Sequence, residues 1–159
     1  MKEVLLYQLE SIWSKPDWFV TLKTALEGLT EQQASIKTNR SNNSIWEILN
    51  HLIYWNELYL ERFKTETFKL EEITNDQTFE NRNDLTWPQS VTKIRKIFLG
   101  WEMAIQSAPD DKLNKMISAK SLTWSNMIMN LITHTAYHTG QIITIRKEQQ
   151  NWDPAKGVS

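Results

Sequence analysis

The sequence predicts an all-α chain folded as a four-helix bundle. Three observations carry this expectation. Apolar residues recur at steps of three and four through four long stretches, as in helices with one buried face. Glycine and proline number only four each, so few points break those stretches. No stretch carries a strand signal. At 159 residues the chain fits a single domain over 1–159 and can bury a core without disulfides or a structural metal.

The stretch from Lys2 to Gly28 carries Leu5, Leu6, Leu9, Ile12 and Trp13, then Trp18, Phe19, Leu22 and Leu26, with Leu29 just beyond. Ser14-Lys15-Pro16-Asp17 interrupts it, because proline cannot donate the i−4 hydrogen bond and disfavours helix at the residue before it. The expectation is a short N-terminal helix, a break, and a first principal helix from Pro16 or Asp17 to Gly28. Thr30-Glu31-Gln32-Gln33 can nucleate one turn, with Thr30 as N-cap.

Asn39 to Ser44 is loop by composition. Ser44 and Glu47 form a capping box that opens the second principal helix, Ile45 to Lys64. Ile45, Ile48, Leu49, Leu52, Trp55, Leu58 and Tyr59 fall within one arc of it, and His51 lies inside that arc. Thr65 to Trp87 is polar and longer than most helix connections, a length typical of crossover or functional segments.

Thr86-Trp87-Pro88 opens the third principal helix, Pro88 to Ser107, since proline suits a first helical turn. Its apolar residues are Val91, Ile94, Phe98, Trp101, Met103 and Ile105. Leu113 to Ser121 reads as an extended connection. Thr123 caps the fourth principal helix, Trp124 to Gln150, which carries Met127, Leu131, Tyr137, Ile142 and Ile145 on one side. The tail Trp152 to Gly157 breaks it.

Composition narrows the function. Eighteen Lys and Arg stand against nineteen Asp and Glu, a net charge of −1. That balance argues against a dedicated nucleic-acid binder, so no nucleic-acid partner is expected. No apolar run is long enough to span a bilayer, and no membrane partner is expected. There is no cysteine, which excludes disulfides, cysteine nucleophiles and thiolate metal sites. The N-terminus lacks the features of a secretory signal, so the cytoplasm is the expected compartment.

The chemistry gathers on the three histidines, His51, His134 and His138. His134 and His138 stand at i and i+4, so their rings project from one face about one turn apart. Such a pair alone is weak evidence, because most are solvated or bonded to the backbone. Here all three lie on core-facing arcs of helices that can be neighbours. A buried imidazole needs a partner, and meeting around one cation satisfies all three at once. Neutral imidazole suits Zn, Ni or Fe better than Mg or Ca. Three histidines leave a coordination position open, as in catalytic sites. The expected cofactor is a divalent transition metal, Zn or Ni first, then Fe or Mn.

Other residues are candidates around that centre. Asn130 and Gln141 share the histidine stripe; they either orient an imidazole N–H or line a wet mouth of the bundle. Tyr137 either points to the site or packs against the second principal helix, and packing is favoured because aromatics dominate such contacts. Trp55, one turn after His51, is the tryptophan placed to line a pocket. For Glu47 the capping reading is preferred over a site role. Gly140 costs about 1 kcal/mol relative to alanine inside a helix, which points to a local reason such as close backbone approach or substrate access. No general acid/base pair is legible, so no catalytic residue is assigned.

Two segments together carry a family resemblance: His134-Thr135-Ala136-Tyr137-His138-Thr139-Gly140-Gln141-Ile142, and Ser44 to Trp55 with Trp46 and His51-Leu52. The chain resembles the DinB/YfiT-like superfamily over roughly Trp18 to Gln150. The resemblance implies an up-down-down-up topology with the long crossover between the second and third principal helices. It also implies a divalent metal on His51, His134 and His138, and a homodimer. Related proteins include transferases that add bacillithiol-type thiols to electrophiles, so a small-molecule thiol and an electrophile are the implied substrates. Thiol-dependent isomerases and metal-dependent hydrolases that activate water occur as well, and a binding module without turnover is the remaining alternative.

Overall fold

The computed structural model describes residues 1–68, 72–117 and 122–157. Six α-helices dominate: α1 (Lys2–Trp13), α2 (Leu22–Leu26), α3 (Glu31–Ser35), α4 (Ile45–Thr65), α5 (Trp87–Ser107) and α6 (Trp124–Glu148). Short 3-10 turns lie at Asp76–Phe79, Lys112–Asn114 and Pro154–Lys156. The architecture is therefore all-α. No described helix is long and apolar enough to cross a membrane.

Local chemistry sets the helix starts. Thr30, Ser44, Thr86 and Thr123 each accept a hydrogen bond from the backbone N–H three residues on, and each is answered by the side chain at that position. These reciprocal pairs satisfy N–H groups that a helix terminus leaves without partners. Glu47 belongs to the Ser44 box and also pairs with Lys37 at 2.8 Å.

The helices bury their apolar faces on one another. α4 packs along α5 and against α6, while α1 lies on both α5 and α6. The shared core includes Leu5 and Ile12 of α1, Leu49 and Leu52 of α4, Ile94 and Ile105 of α5, and Ile142 and Ile145 of α6. Trp13 stacks on Phe98 with ring centroids 5.1 Å apart, and Phe63 sits 5.6 Å from Trp101 and 5.1 Å from Trp124. Gly100 brings α5 close to α4: a Cβ there would meet Leu60 Cδ2 at 2.9 Å.

Four features differ from the sequence expectation. The fourth long helix is α1, where the sequence predicts only a short N-terminal piece. Leu5, Leu9, Ile12 and Trp13 are all buried. The stretch from Pro16 to Gly28 contains only the five residues of α2. Thr21 accepts from the Thr24 N–H and so starts the helix late; Gly28, at φ +76°, turns the chain away. Before it, Tyr7 donates to Asp17, and Trp18 is 94% exposed although its spacing mimics a buried position. Finally, Met116–Ile117 and Leu122–Thr123 pair as antiparallel strands β1 and β2, with Met116 opposite Thr123. The extended connection expected there falls partly on 118–121, outside the described residues. Met103, counted with the apolar face of α5, is exposed.

Arg146 ties the end of α2 to the segment that follows α6. This buried guanidinium donates to the carbonyls of Ala25 at 2.8 Å and Glu27 at 3.0 Å. It also donates to the Asn151 carbonyl at 2.9 Å and the Asn151 side chain at 3.1 Å. These carbonyls lie in the last turn of α2 or just beyond a helix end, where backbone acceptors lack partners within the helix.

Candidate metal centre

His51 projects from the first half of α4, and His134 and His138 from the middle of α6. Because α4 and α6 pack on each other, the three rings meet. The Nε2 atom of His134 lies 3.1 Å from Nε2 of His51 and 3.0 Å from Nε2 of His138. One ligand atom from each falls within 4.8 Å of the others. His51 and His138 are buried, 3% and 6% exposed, and His134 is half-buried.

The partners of two neighbouring hydrogen bonds place the protons on the outer ring nitrogens. Thr78 donates its only hydroxyl proton to the Asn75 carbonyl, so its oxygen can only accept from His51 Nδ1, 2.5 Å away. The His51 Nδ1 therefore carries the proton and its Nε2 lone pair faces inward. Gln141 repeats this for His138. Its Nε2 donates to the Tyr137 oxygen at 3.1 Å, which leaves its Oε1 to accept from His138 Nδ1–H at 2.7 Å. Two lone pairs thus point at His134 Nε2, which has one proton at most. A cation resolves that conflict. Tetrahedral Zn–N bonds of ~2.05 Å place ligand nitrogens about 3.3 Å apart, so a spread of a few tenths of an ångström seats the ion. The donor set fits a borderline divalent metal such as Zn or Ni.

The electrostatics keep all three rings neutral, as ligands must be. Burial first, then the imidazoles of His138 and His134, push His51 down from 6.5 to about 3. Burial and then His138 push His134 down from 6.5 to about 4. Burial also lowers His138, while its bond to Gln141 works the other way. Neutral imidazole at pH 7 is the metal-binding form.

The surroundings of the centre are mostly aromatic. Phe79 stacks on His51 with centroids 4.1 Å apart and planes 13° from parallel. Trp55 meets His51 edge-on at 6.3 Å, beside the centre as its spacing suggests. Tyr137 does not pack in the core. It is 63% exposed, with its ring 5.0 Å from that of His138. Asn130 is exposed one turn before His134 and makes no hydrogen bond to the histidines. A Cβ at Gly140 would meet open space, so no close backbone approach explains that glycine.

Thr78 and Phe79 are the site residues that sequence reasoning missed. They arrive on the 3-10 turn Asp76–Phe79, inside the long connection between α4 and α5. The length of that connection was the one signal that pointed to it.

A family model described as the DinB superfamily matches residues 20–142. No curated protein matches the sequence. Among solved structures, the chain is similar to the colibactin self-resistance protein ClbS in complex with a dsDNA, with a TM-score of 0.74 and 19% identity. The similarity covers 92% of this chain and 95% of that one. The expected absence of a nucleic-acid partner is corrected by this neighbour. A net charge sums over the whole surface, whereas a duplex meets one face, so near-neutral composition does not exclude duplex binding for this fold.

Proposed function

The chain belongs to the DinB superfamily, and from that premise we propose that it is a metal-dependent enzyme joining a bacillithiol-like low-molecular-weight thiol to an electrophile at the three-histidine centre. The observation that carries this reading is the convergence of three Nε2 atoms, two with lone pairs held inward by Thr78 and Gln141. A divalent ion held by His51, His134 and His138, Zn or Ni by the donor set, would supply the positive charge that keeps a thiol deprotonated at neutral pH.

The chain's own residues do the rest. The three histidines are neutral donors, so they leave the charge of the ion undiminished. No cysteine is present, so the nucleophilic sulfur comes from a bound thiol. Phe79 and Trp55 shield the His51 side from water. Tyr137 accepts from Gln141 through its oxygen, which leaves its own O–H free to donate to a substrate at the exposed side.

We also read the ring of α1, α4, α5 and α6 as an up-down-down-up four-helix bundle. The support is the connection from 66 to 86, long enough to return the chain along α4. Exposed Val4 and Tyr7 on α1, and Leu99 and Met103 on α5, support pairing as a homodimer. A solution mass near the 18.8 kDa of one chain would overturn that reading.

The test of the chemistry is a screen of bacillithiol, glutathione, coenzyme A and cysteine against chromogenic electrophiles, with and without added Zn or Ni. Metal-dependent product in excess of His138→Ala is expected for at least one thiol. Rates equal to that variant for all thiols would overturn the transferase reading. Ester or amide cleavage without thiol would instead identify a hydrolase, and binding without product a non-catalytic module. A second reading, contact with double-stranded DNA, is supported by the duplex bound to ClbS. Salt-dependent anisotropy of a short labelled duplex tests it.

A further inference from the structure

We infer that Thr78 is a positioning residue of the metal centre, so that the 3-10 turn Asp76–Phe79 is a working part of the site rather than linker. The inference rests on the three-histidine metal site proposed above and deepens it. Its basis is a set of three ties between that turn and the stretch of α4 that holds His51. Thr78 Oγ1 accepts from His51 Nδ1–H. Phe79 stacks on the face of the same ring. Asn50, the residue before His51, donates through Nδ2 to the Phe79 carbonyl at 3.2 Å.

The chemistry explains why the residue is a threonine. A metal-binding imidazole must present one lone pair to the ion and carry its proton on the other nitrogen. Thr78 enforces this on His51 because its hydroxyl proton is committed to the Asn75 carbonyl. At 1% exposure Thr78 is buried, so His51 Nδ1 bonds a protein acceptor rather than bulk water. Valine would keep the shape and lose the acceptor. His51 would then favour neither tautomer, and the Nε2–H form cannot bind. Gln141 serves His138 from within α6, whereas His134 Nδ1 has no such partner among the described residues. His51 therefore depends on a segment outside both ligand helices.

The experiment compares wild type, T78V, T78A and T78S. Affinity for Zn is measured by competition with a chromophoric chelator, and the metal-free fold by far-UV circular dichroism. T78V and T78A are expected to bind about 10–100-fold more weakly, with T78S within a few-fold of wild type. In metal-free wild type, 15N NMR is expected to show His51 protonated at Nδ1, and in T78V a mixture of tautomers. A folded T78V or T78A that binds within about twofold of wild type would overturn the inference. So would wild-type His51 protonated at Nε2, a result that needs no variant. Failure of the metal site itself reads differently: wild type would then bind no better than His51→Ala.

Discussion

The Nε2 atoms of His51 and His134 face each other at 3.1 Å, although 83 residues separate them in the chain. His51 directs a lone pair into that gap, and so does His138 from the other side. Removing any one of the three rings breaks a shared site. His51→Ala, His134→Ala and His138→Ala are each expected to weaken Zn binding by more than about 100-fold, beyond the usual cost of losing an outer partner. Metal content after dialysis checks this. Full occupancy in His51→Ala alongside metal-free His134→Ala would show that α4 contributes no ligand.

Metal removal is expected to lower stability without unfolding the chain, because the helices share an apolar core apart from the site. At metal about 100-fold above Kd the stabilisation is about 2.7 kcal/mol. For a chain of this size that corresponds to a fall in melting temperature of roughly 5–10 °C on chelation. Circular dichroism should remain helical at room temperature. A coil spectrum after chelation would make the metal a structural element.

The metal-free protein is expected to lose stability as pH falls from about 6.5 towards 4. His51 and His134 are held in the folded state at about 3 and 4, below their ordinary 6.5. Across that window the unfolded chain binds the extra protons, so acid favours unfolding. Well above 6.5 both states are neutral and the contribution is constant. Urea midpoints at pH 7.5, 6.5, 5.5 and 4.5 read this out. The double variant His51→Asn/His134→Asn should show a shallower decline; an equal decline would place the acid sensitivity elsewhere.

The two helical glycines are expected to respond oppositely to alanine. At Gly140 the new methyl meets open space, so Gly140→Ala should stabilise by up to about 1 kcal/mol, with Zn affinity unchanged. At Gly100 it meets Leu60 Cδ2 at 2.9 Å, and Leu60 is buried. Overpacking of about 1–3 kcal/mol then outweighs the helix gain, for a net loss of about 1 kcal/mol. Chemical denaturation of both variants distinguishes the sites. Equal gains would mean that Leu60 moves aside freely.

What could be read from the sequence was local or periodic. Ser44 and Glu47 announce their helix within four residues, and His134 and His138 share a face by spacing alone. His51 joined them because its flanking apolar residues marked a buried arc. The departures have a local cause and a long-range one. Trp18 and Phe19 continue a helical spacing, yet proline at 16 and the Thr21 cap keep them out of any helix. Tyr137 lies one residue from a ligand, yet points outward. Thr78 reaches His51 from a connection whose path no periodicity describes. Such contacts depend on how elements pack, and one chain read in isolation does not record that.

Arg146 has a bearing on how the protein comes into being at the ribosome. The carbonyls of Ala25 and Glu27 emerge early, but the guanidinium that satisfies them is 121 and 119 residues further on. His51 waits in the same way for His134 and His138. A growing chain can wind α1 and α4, but it cannot close the N-terminal segment or complete the donor set until α6 has left the tunnel. A metal held by all three histidines would therefore have to wait for α6, and before that the nascent chain offers only His51 of the donor set.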